Sequence, residues 1–462
     1  MTTTPSARAL PSVDRVLHDP VGEELVARHG RQRAVEAVRR RLESARQAIR
    51  AGTSPADGSL EPGGVAREAA AAIAAEDAPV LRPVVNATGI ILHTGLGRAR
   101  MPEEATRALG AVSGCCNLEH DLDANRRGRR EESLRSIVSE LTGAEDVLVV
   151  NNNAGATFLV LAALGRGREV VVSRGELIEI GGSFRLPEIM AESGVRLREV
   201  GTTNKTRRLD YEAAAGPETA ILLKAHKSNY CMVGFTAEVG IGEIAAVGRP
   251  RGIPVVDDLG CGAMVDLEAF GLSHECTVRE SLEAGADLAL FSTDKLIGGP
   301  QGGMIVGRAD LVEKVRSHPL YRILRVCKLT LAALEATLGL FRSPDLLVRR
   351  HPVYRMLGRT AAELSRQAED VRAALAAARP GWEVTVGEEA AFLGGGSIPG
   401  ESLPSRGVRI ASPDLSADAL ARALRSAAVP VVPRVSEDRV VLDMRTVLPE
   451  DVPAVLEAAR AV

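Results

Sequence analysis

From about Val84 to Leu340 the chain alternates short apolar, largely β-branched runs with stretches long enough for amphipathic helices. The runs cover residues 147–150, 169–172, 220–224, 254–256, 288–291 and 303–306. Strands apolar along their whole length are buried on both faces, and helix-length connections join parallel neighbours. The pattern therefore predicts an α/β fold with a mainly parallel central sheet. In such sheets ligands bind beyond the carboxyl ends of the strands, so the polar residues that follow each run carry the functional information.

A chain of 462 residues exceeds what one core organises. Residues 1–64 are expected to form a helical module and linker, 65–340 the large domain, and 341–462 a small α+β domain. In the last, a helix is expected over 361–378, strands over 383–386 and 440–443, and a helical tail. Val35, Val38, Leu42, Ala45 and Ile49 recur at helical spacing. The first 50 residues hold ten Lys/Arg against six Asp/Glu, while the whole chain is at −3. Arg31, Arg33, Arg39, Arg40, Arg41, Arg46 and Arg50 on the other faces of that helix fit either a phosphate backbone or a solvated surface. The Gly-, Pro- and Ser-rich segment 51–64 reads as a linker. No stretch approaches the ~18 apolar residues of a membrane span, and the start lacks the order of a signal peptide, so a cytoplasmic protein is expected. The six cysteines are scattered without metal-ligand spacing, which argues against a zinc site or a disulfide framework.

Three segments carry chemistry. In Phe291-Ser-Thr-Asp-Lys-Leu-Ile-Gly-Gly-Pro-Gln-Gly-Gly-Met304 a lysine follows an apolar run and precedes a glycine-rich turn. Burial depresses a lysine pKa enough to leave a nucleophilic amine, so Lys295 is the candidate for a Schiff base with pyridoxal 5′-phosphate (PLP). In Val255-Val-Asp-Asp-Leu-Gly260 acidic residues end another run. A carboxylate keeps the PLP pyridine nitrogen protonated; Asp257 is favoured, with Asp258 as the alternative. In Val149-Val-Asn-Asn-Asn-Ala-Gly-Ala156 a run opens a helix, whose amides at Asn152, Asn153, Ala154 and Gly155 suit the cofactor phosphate.

Together these segments resemble the bacterial L-seryl-tRNA(Sec) selenium transferase family over nearly the whole chain. The resemblance includes Leu10-Pro-Ser-Val-Asp-Arg-Val-Leu17, Asn86-Ala-Thr-Gly89, His93-Thr-Gly-Leu-Gly-Arg98, Asn151-Asn-Asn153 and Ser173-Arg-Gly-Glu-Leu-Ile-Glu-Ile-Gly-Gly-Ser-Phe-Arg185. It continues through Gly201-Thr-Thr-Asn204, Ser228-Asn-Tyr230, Asp257-Asp-Leu-Gly260, Asp294-Lys-Leu-Ile-Gly-Gly-Pro-Gln301 and Arg322-Ile-Leu-Arg325.

That resemblance implies a fold-type-I PLP transferase whose N-terminal domain binds seryl-tRNA(Sec). It also implies a homo-oligomer built from dimers, with a decamer as one such assembly. Arg98, Arg322 and Arg325 are then expected to hold selenophosphate. His226 and Asn229 are expected among the cofactor contacts, with Arg174 and Glu176 nearby. In the implied reaction the seryl hydroxyl leaves by β-elimination, with Asp294 or released Lys295 as proton donor, and selenium adds to the dehydroalanyl ester. Because the substrate carboxyl is esterified, Arg434 and Arg445, which resemble carboxylate clamps, would have no free α-carboxylate to hold; structural ion pairing is the equal alternative for both. The chain departs from the family pattern at five positions: Gly95 stands where Asn is usual, Lys227 where a small hydroxyl residue is, Thr293 and Asn125 in place of glycine, and Cys327 in place of an acidic residue. The competing reading is a related PLP lyase acting on a small amino acid or amino sugar acid, since elimination alone requires no tRNA.

Overall fold

The computed structural model describes residues 10–51, 60–182 and 184–462. Its contacts divide the chain into two units, Met1–Pro83 and Val84–Val462. Of the expected linker, residues 52–59 lie outside the described residues.

The first unit contains α1 (Val13–Leu17), α2 (Pro20–His29), α3 (Arg31–Arg50) and α4 (Pro62–Asp77). Ser12 caps α1 by accepting from the Arg15 amide, and Asp19 caps α2 by accepting from Val21, with Pro20 at the first helical position. The core joins Val16, Leu25, Ala34, Val38 and Leu42 to Val65, Ala69 and Ile73. Val38, Leu42 and Ala45 of the predicted stripe are buried, but Ala34 and Ala37 replace Val35 and Ile49, which are only half-buried. The domain boundary expected at residue 64 is corrected to Pro83, because α4 buries its apolar side in this core.

The second unit opens with β1 (Val85–Ala87) and builds a seven-stranded sheet from β2 (Asp146–Val150), β3 (Glu169–Ser173), β4 (Arg196–Val200), β5 (Thr219–Ala225), β6 (Val255–Gly260), β7 (Leu288–Ser292) and β8 (Gly303–Gly307). Their spatial order is β2-β8-β7-β6-β5-β3-β4. Neighbours run parallel except at β8, which is antiparallel to both β7 and β2. All six predicted runs are strands. The seventh, β4, has the sequence Arg-Leu-Arg-Glu-Val and lies at an edge with much of its length exposed, so it lacks the apolar signature of the others. Alternate residues of β2 and β7 enter two cores: Val149 and Phe291 face one layer, Val150 and Leu290 the other, which includes α5 (Asn153–Gly165). Farther along the chain lie α6 (Val278–Ala284), just before β7, and α7 (Pro319–Leu324).

A second sheet comprises β9 (Glu383–Ala391), β10 (Leu403–Ala411), β11 (Val431–Ser436) and β12 (Arg439–Asp443), in the order β1-β11-β12-β10-β9. Helices Ala361–Ala378, Ala417–Arg425 and Val452–Ala461 pack against it. The small domain is therefore not confined to residues 341–462, because β1 pairs in parallel with β11, Val85 opposite Val431. Among the described residues, no helix is long and apolar enough to cross a membrane.

Candidate active site

The loops after β2, β5, β6 and β7 converge on a cavity of about 330 Å³. Lys295 lies three residues beyond β7 and is buried there, 8% exposed. Burial pushes its amine below the usual lysine range, and the Arg98 guanidinium acts in the same direction. A neutral amine is what Schiff-base formation requires.

Which aspartate faces this lysine follows from strand alternation. Val256 packs in the α5 layer and Val255 in the opposite one, so Asp258 points toward α5 and Asp257 away from it. Asp258 lines the cavity; its Oδ1 accepts from Asn153 Nδ2 at 2.7 Å and its Oδ2 from Thr157 Oγ1 at 2.7 Å. Both donors belong to α5. Asp257 instead accepts from Ser281 Oγ of α6 at 2.6 Å and is absent from the cavity wall. Burial pushes its carboxyl up to about 6. Of the two aspartates offered as the pyridine partner, Asp258 shares the cavity with Lys295 and the favoured Asp257 does not.

At the start of α5, Asn152, Asn153 and Ala154 line the cavity. The Gly155 amide already donates to Asn152 Oδ1 at 2.7 Å, so Gly155 contributes a helix cap rather than a free donor. A Cβ at Gly155 would lie 2.8 Å from Asn151 Oδ1, and one at Gly303 would lie 2.3 Å from the Asn152 carbonyl oxygen, so both glycines permit the close approach of this turn. Ser292 and Gln301 add polar groups to the same wall.

His226 also lines the cavity, but Asn229 does not. Asn229 is exposed and its Nδ2 donates to the Glu179 carbonyl at 3.0 Å. Between them Ser228 adopts φ +51°, which turns the chain and leaves the Ser228 side chain on the wall instead. Arg98, itself at φ +62°, reaches Asp294: its Nη1 donates to Asp294 Oδ2 at 2.5 Å, and both residues line the cavity. Arg322 on α7 is exposed, and Arg325 approaches Glu119 at 3.9 Å; neither lines the cavity in the single chain. Their segment is nonetheless tied to the end of β2, where the Asn151 amide donates to the Leu324 carbonyl at 2.9 Å. Arg174 pairs with Glu199 and Glu176 with Lys224, both off the wall.

Residues 84–448 match the family model described as L-seryl-tRNA selenium transferase, and residues 7–46 match the one described as selenocysteine synthase N terminal. The chain belongs to the L-seryl-tRNA selenium transferase family. Over 444 residues it is 47% identical to the L-seryl-tRNA(Sec) selenium transferase of Rhizobium meliloti (strain 1021), covering 95% of this chain and 94% of that one. It is 44% identical over 456 residues to the enzyme of the same name from Hyphomonas neptunium (strain ATCC 15444), covering 98% of each. Among solved structures, a D-glucosaminate-6-phosphate ammonia-lyase superposes with a TM-score of 0.57 at 21% identity, covering 82% of this chain and 95% of that one. The fold is that of the fold-type-I PLP enzymes.

As a selenium transferase the chain accommodates its departures locally. Thr293 donates its hydroxyl to the Pro300 carbonyl at 2.5 Å and so braces the loop that holds Lys295. Asn125 takes φ +45°, the left-handed conformation that a glycine adopts without strain and asparagine tolerates best among other residues. Lys227 pairs with Glu238, and Cys327 occupies the N-cap of the helix Lys328–Gly339. A side chain at Gly95 would press on the His93 ring, 3.3 Å from its Cε1. Arg434 is committed to Glu389, and Arg445 donates to the carbonyls of Met356, Leu357, Arg359 and Pro404. Neither lines the cavity.

The residues fit PLP: a buried amine of lowered pKa, a carboxylate held by two donors, and a helix N-terminus walled by small residues share one cavity. Sequence reasoning missed Thr157, Ser292 and Gln301. Ser292 and Gln301 stand in the lysine segment quoted above, where no role was assigned to them; Thr157 is legible only as the residue one helical turn after Asn153.

Proposed function

We propose that the chain converts L-seryl-tRNA(Sec) to L-selenocysteinyl-tRNA(Sec), with selenophosphate as the selenium donor and PLP held on Lys295. The observation that carries this reading is family membership over essentially the full chain, joined to a cavity that brings Lys295, Asp258 and Arg98 together. Bound there, PLP supplies an electron sink for the seryl Cα. Asp258 holds the charge that keeps the sink electron-poor, while Asn153 and Thr157 fix the carboxylate plane. Lys295 would hold the cofactor and serve as the base at Cα. Asp294 is placed to hold or give the proton that the departing hydroxyl needs, and Arg98 to bind an oxyanion.

Commitment of Arg434 and Arg445 to internal partners supports a substrate whose carboxyl is esterified, and it weighs against the lyase reading with a free amino acid. The N-terminal helical unit is assigned to the tRNA, and the cytoplasm is where that substrate resides. We take the active form to be a homo-oligomer, which the exposure of Leu122, Val233, Phe235 and Ile323 supports. Incubation of the purified oligomer with PLP, seryl-tRNA(Sec) and selenophosphate should yield selenocysteinyl-tRNA. Unchanged serine on the recovered tRNA would overturn the assignment.

A further inference from the structure

Behind the cavity wall, Glu275 is buried at 7% exposure in the loop that leads into α6. The loop is pinned to the segment after β6 by the pairing of Ala263 with Thr277 and by the Val278 amide, which donates to the Ala263 carbonyl at 2.9 Å. This brings Glu275 Oε1 to 3.3 Å from His226 Nε2 and 3.0 Å from Cys261 Sγ. On the other side of the imidazole, the Ser228 backbone amide donates to His226 Nδ1 at 3.0 Å.

An amide N–H only donates, so Nδ1 is the acceptor and the ring proton sits on Nε2, the nitrogen beside the carboxylate. The Cys261 thiol donates to the same oxygen and so holds the carboxylate beside the ring, where its charge faces Nε2. Burial lowers the imidazole pKa and raises that of the thiol, so both remain neutral around the carboxylate. The left-handed φ of Ser228, a strained conformation for a residue with a side chain, is what aims its amide back at the ring.

We propose that Glu275 is a positioning residue: the Ser228 amide sets His226 as the Nε2–H tautomer, and the Glu275 charge beside Nε2 favours that tautomer and holds the ring against the cofactor cavity. His226 then contributes a fixed neutral surface and transfers no proton, which leaves Lys295 and Asp294 as the proton-handling groups. The consequence for the cofactor rests on the PLP reading above; the tautomer does not.

Solid-state NMR of the cofactor-free protein carrying [15N]histidine separates the two. The His226 signals are identified by their loss in His226→Gln. The wild type should show an unprotonated Nδ1 and a protonated Nε2, unchanged between about pH 7 and 8. Glu275→Gln, which removes the charge beside Nε2 while the Ser228 amide still donates to Nδ1, should shift the His226 Nε2 signal and bind PLP about tenfold more weakly. Cys261→Ser, which keeps a donor for Glu275, should leave the pattern intact. A wild-type His226 protonated at Nδ1, or a Glu275→Gln protein with wild-type His226 signals, would refute the proposal. Should the wild type develop no visible absorption band with added PLP, the cofactor reading fails while the tautomer result stands on its own.

Discussion

Asn153 Nδ2 and Asp258 Oδ1 lie 2.7 Å apart, joining the first turn of α5 to the end of β6. This hydrogen bond sets the side chain that opens the helix against the carboxylate that faces Lys295, with Thr157 holding the second carboxylate oxygen. Asp258→Asn should therefore lower turnover by about 10²- to 10³-fold and weaken PLP retention, because an amide leaves the pyridine nitrogen without its counter-charge. Asp257→Asn should change turnover far less. Steady-state assays and the visible cofactor spectrum of the two variants decide between them; equal losses would contradict the assignment of Asp258.

Asp257 has a separate signature in stability. Its folded-state pKa, about 6, lies above the ordinary value of 3.8, so the native state binds this proton more tightly than the unfolded chain does. The resulting stabilisation is complete below about pH 3.8 and is lost as pH rises through 6. The loss amounts to roughly 3 kcal/mol at about 1.4 kcal/mol per pKa unit. Asp257→Asn should thus gain stability relative to the wild type between pH 4 and 6.5, on the order of that amount. Urea unfolding across that range measures the difference, and a pH-independent difference would exclude the effect.

Much of this site was legible because the fold class follows from apolar runs and Lys295 follows one of them. The choice between Asp257 and Asp258 was not, since both faces of β6 are buried and the alternation that separates polar from apolar positions on a half-exposed strand is missing. Asn229 was misplaced for a different reason: only the positive φ of Ser228 shows that the chain turns between the cavity and the surface. Glu275 left no signal at all, because its partners His226 and Cys261 are brought to it by the tertiary fold from other loops. The small sheet's dependence on β1 is likewise a long-range pairing that local pattern does not contain.

Arg98 faces Asp294 from a left-handed backbone position and remains about one-third exposed, so its charge is only partly screened. If it binds the oxyanion donor, Arg98→Ala should raise the KM for selenophosphate at least about tenfold, and Arg98→Lys should recover little, because a point charge does not reproduce the guanidinium fork. Kinetics at varied selenophosphate and fixed tRNA test this. An unchanged KM with reduced kcat would reassign Arg98 to orienting Asp294.

The segment bearing Arg322 and Arg325 is anchored from below. The Tyr321 hydroxyl donates to the buried Glu131 carboxylate, and Arg130 Nη1 donates to the Val326 carbonyl at 2.8 Å. Tyr321→Phe leaves a buried carboxylate short of a donor and should cost about 1–3 kcal/mol in denaturant unfolding. The same change should weaken selenophosphate binding if these arginines serve the donor. A destabilised variant with unchanged selenophosphate binding would detach the arginine segment from that role.

The basic helix α3 divides its arginines between two tasks. Arg33 pairs with Asp77, Arg40 with Glu76 and Arg41 with Glu68, all carboxylates of α4, while Arg46 pairs with Glu43 of its own helix. These pairs answer part of the phosphate-tracking expectation with a structural role. Among the described residues Arg31, Arg39 and Arg50 have no such pair, and they carry what remains of it. Glutamine at Arg39 or Arg31 should weaken tRNA binding and flatten the plot of log K against log salt by roughly 0.7–0.9 for each phosphate left unneutralised. Arg41→Gln should leave that slope unaltered and act, if at all, on stability. Filter binding across a salt series distinguishes the two groups, and identical slopes for all variants would remove α3 from the tRNA interface.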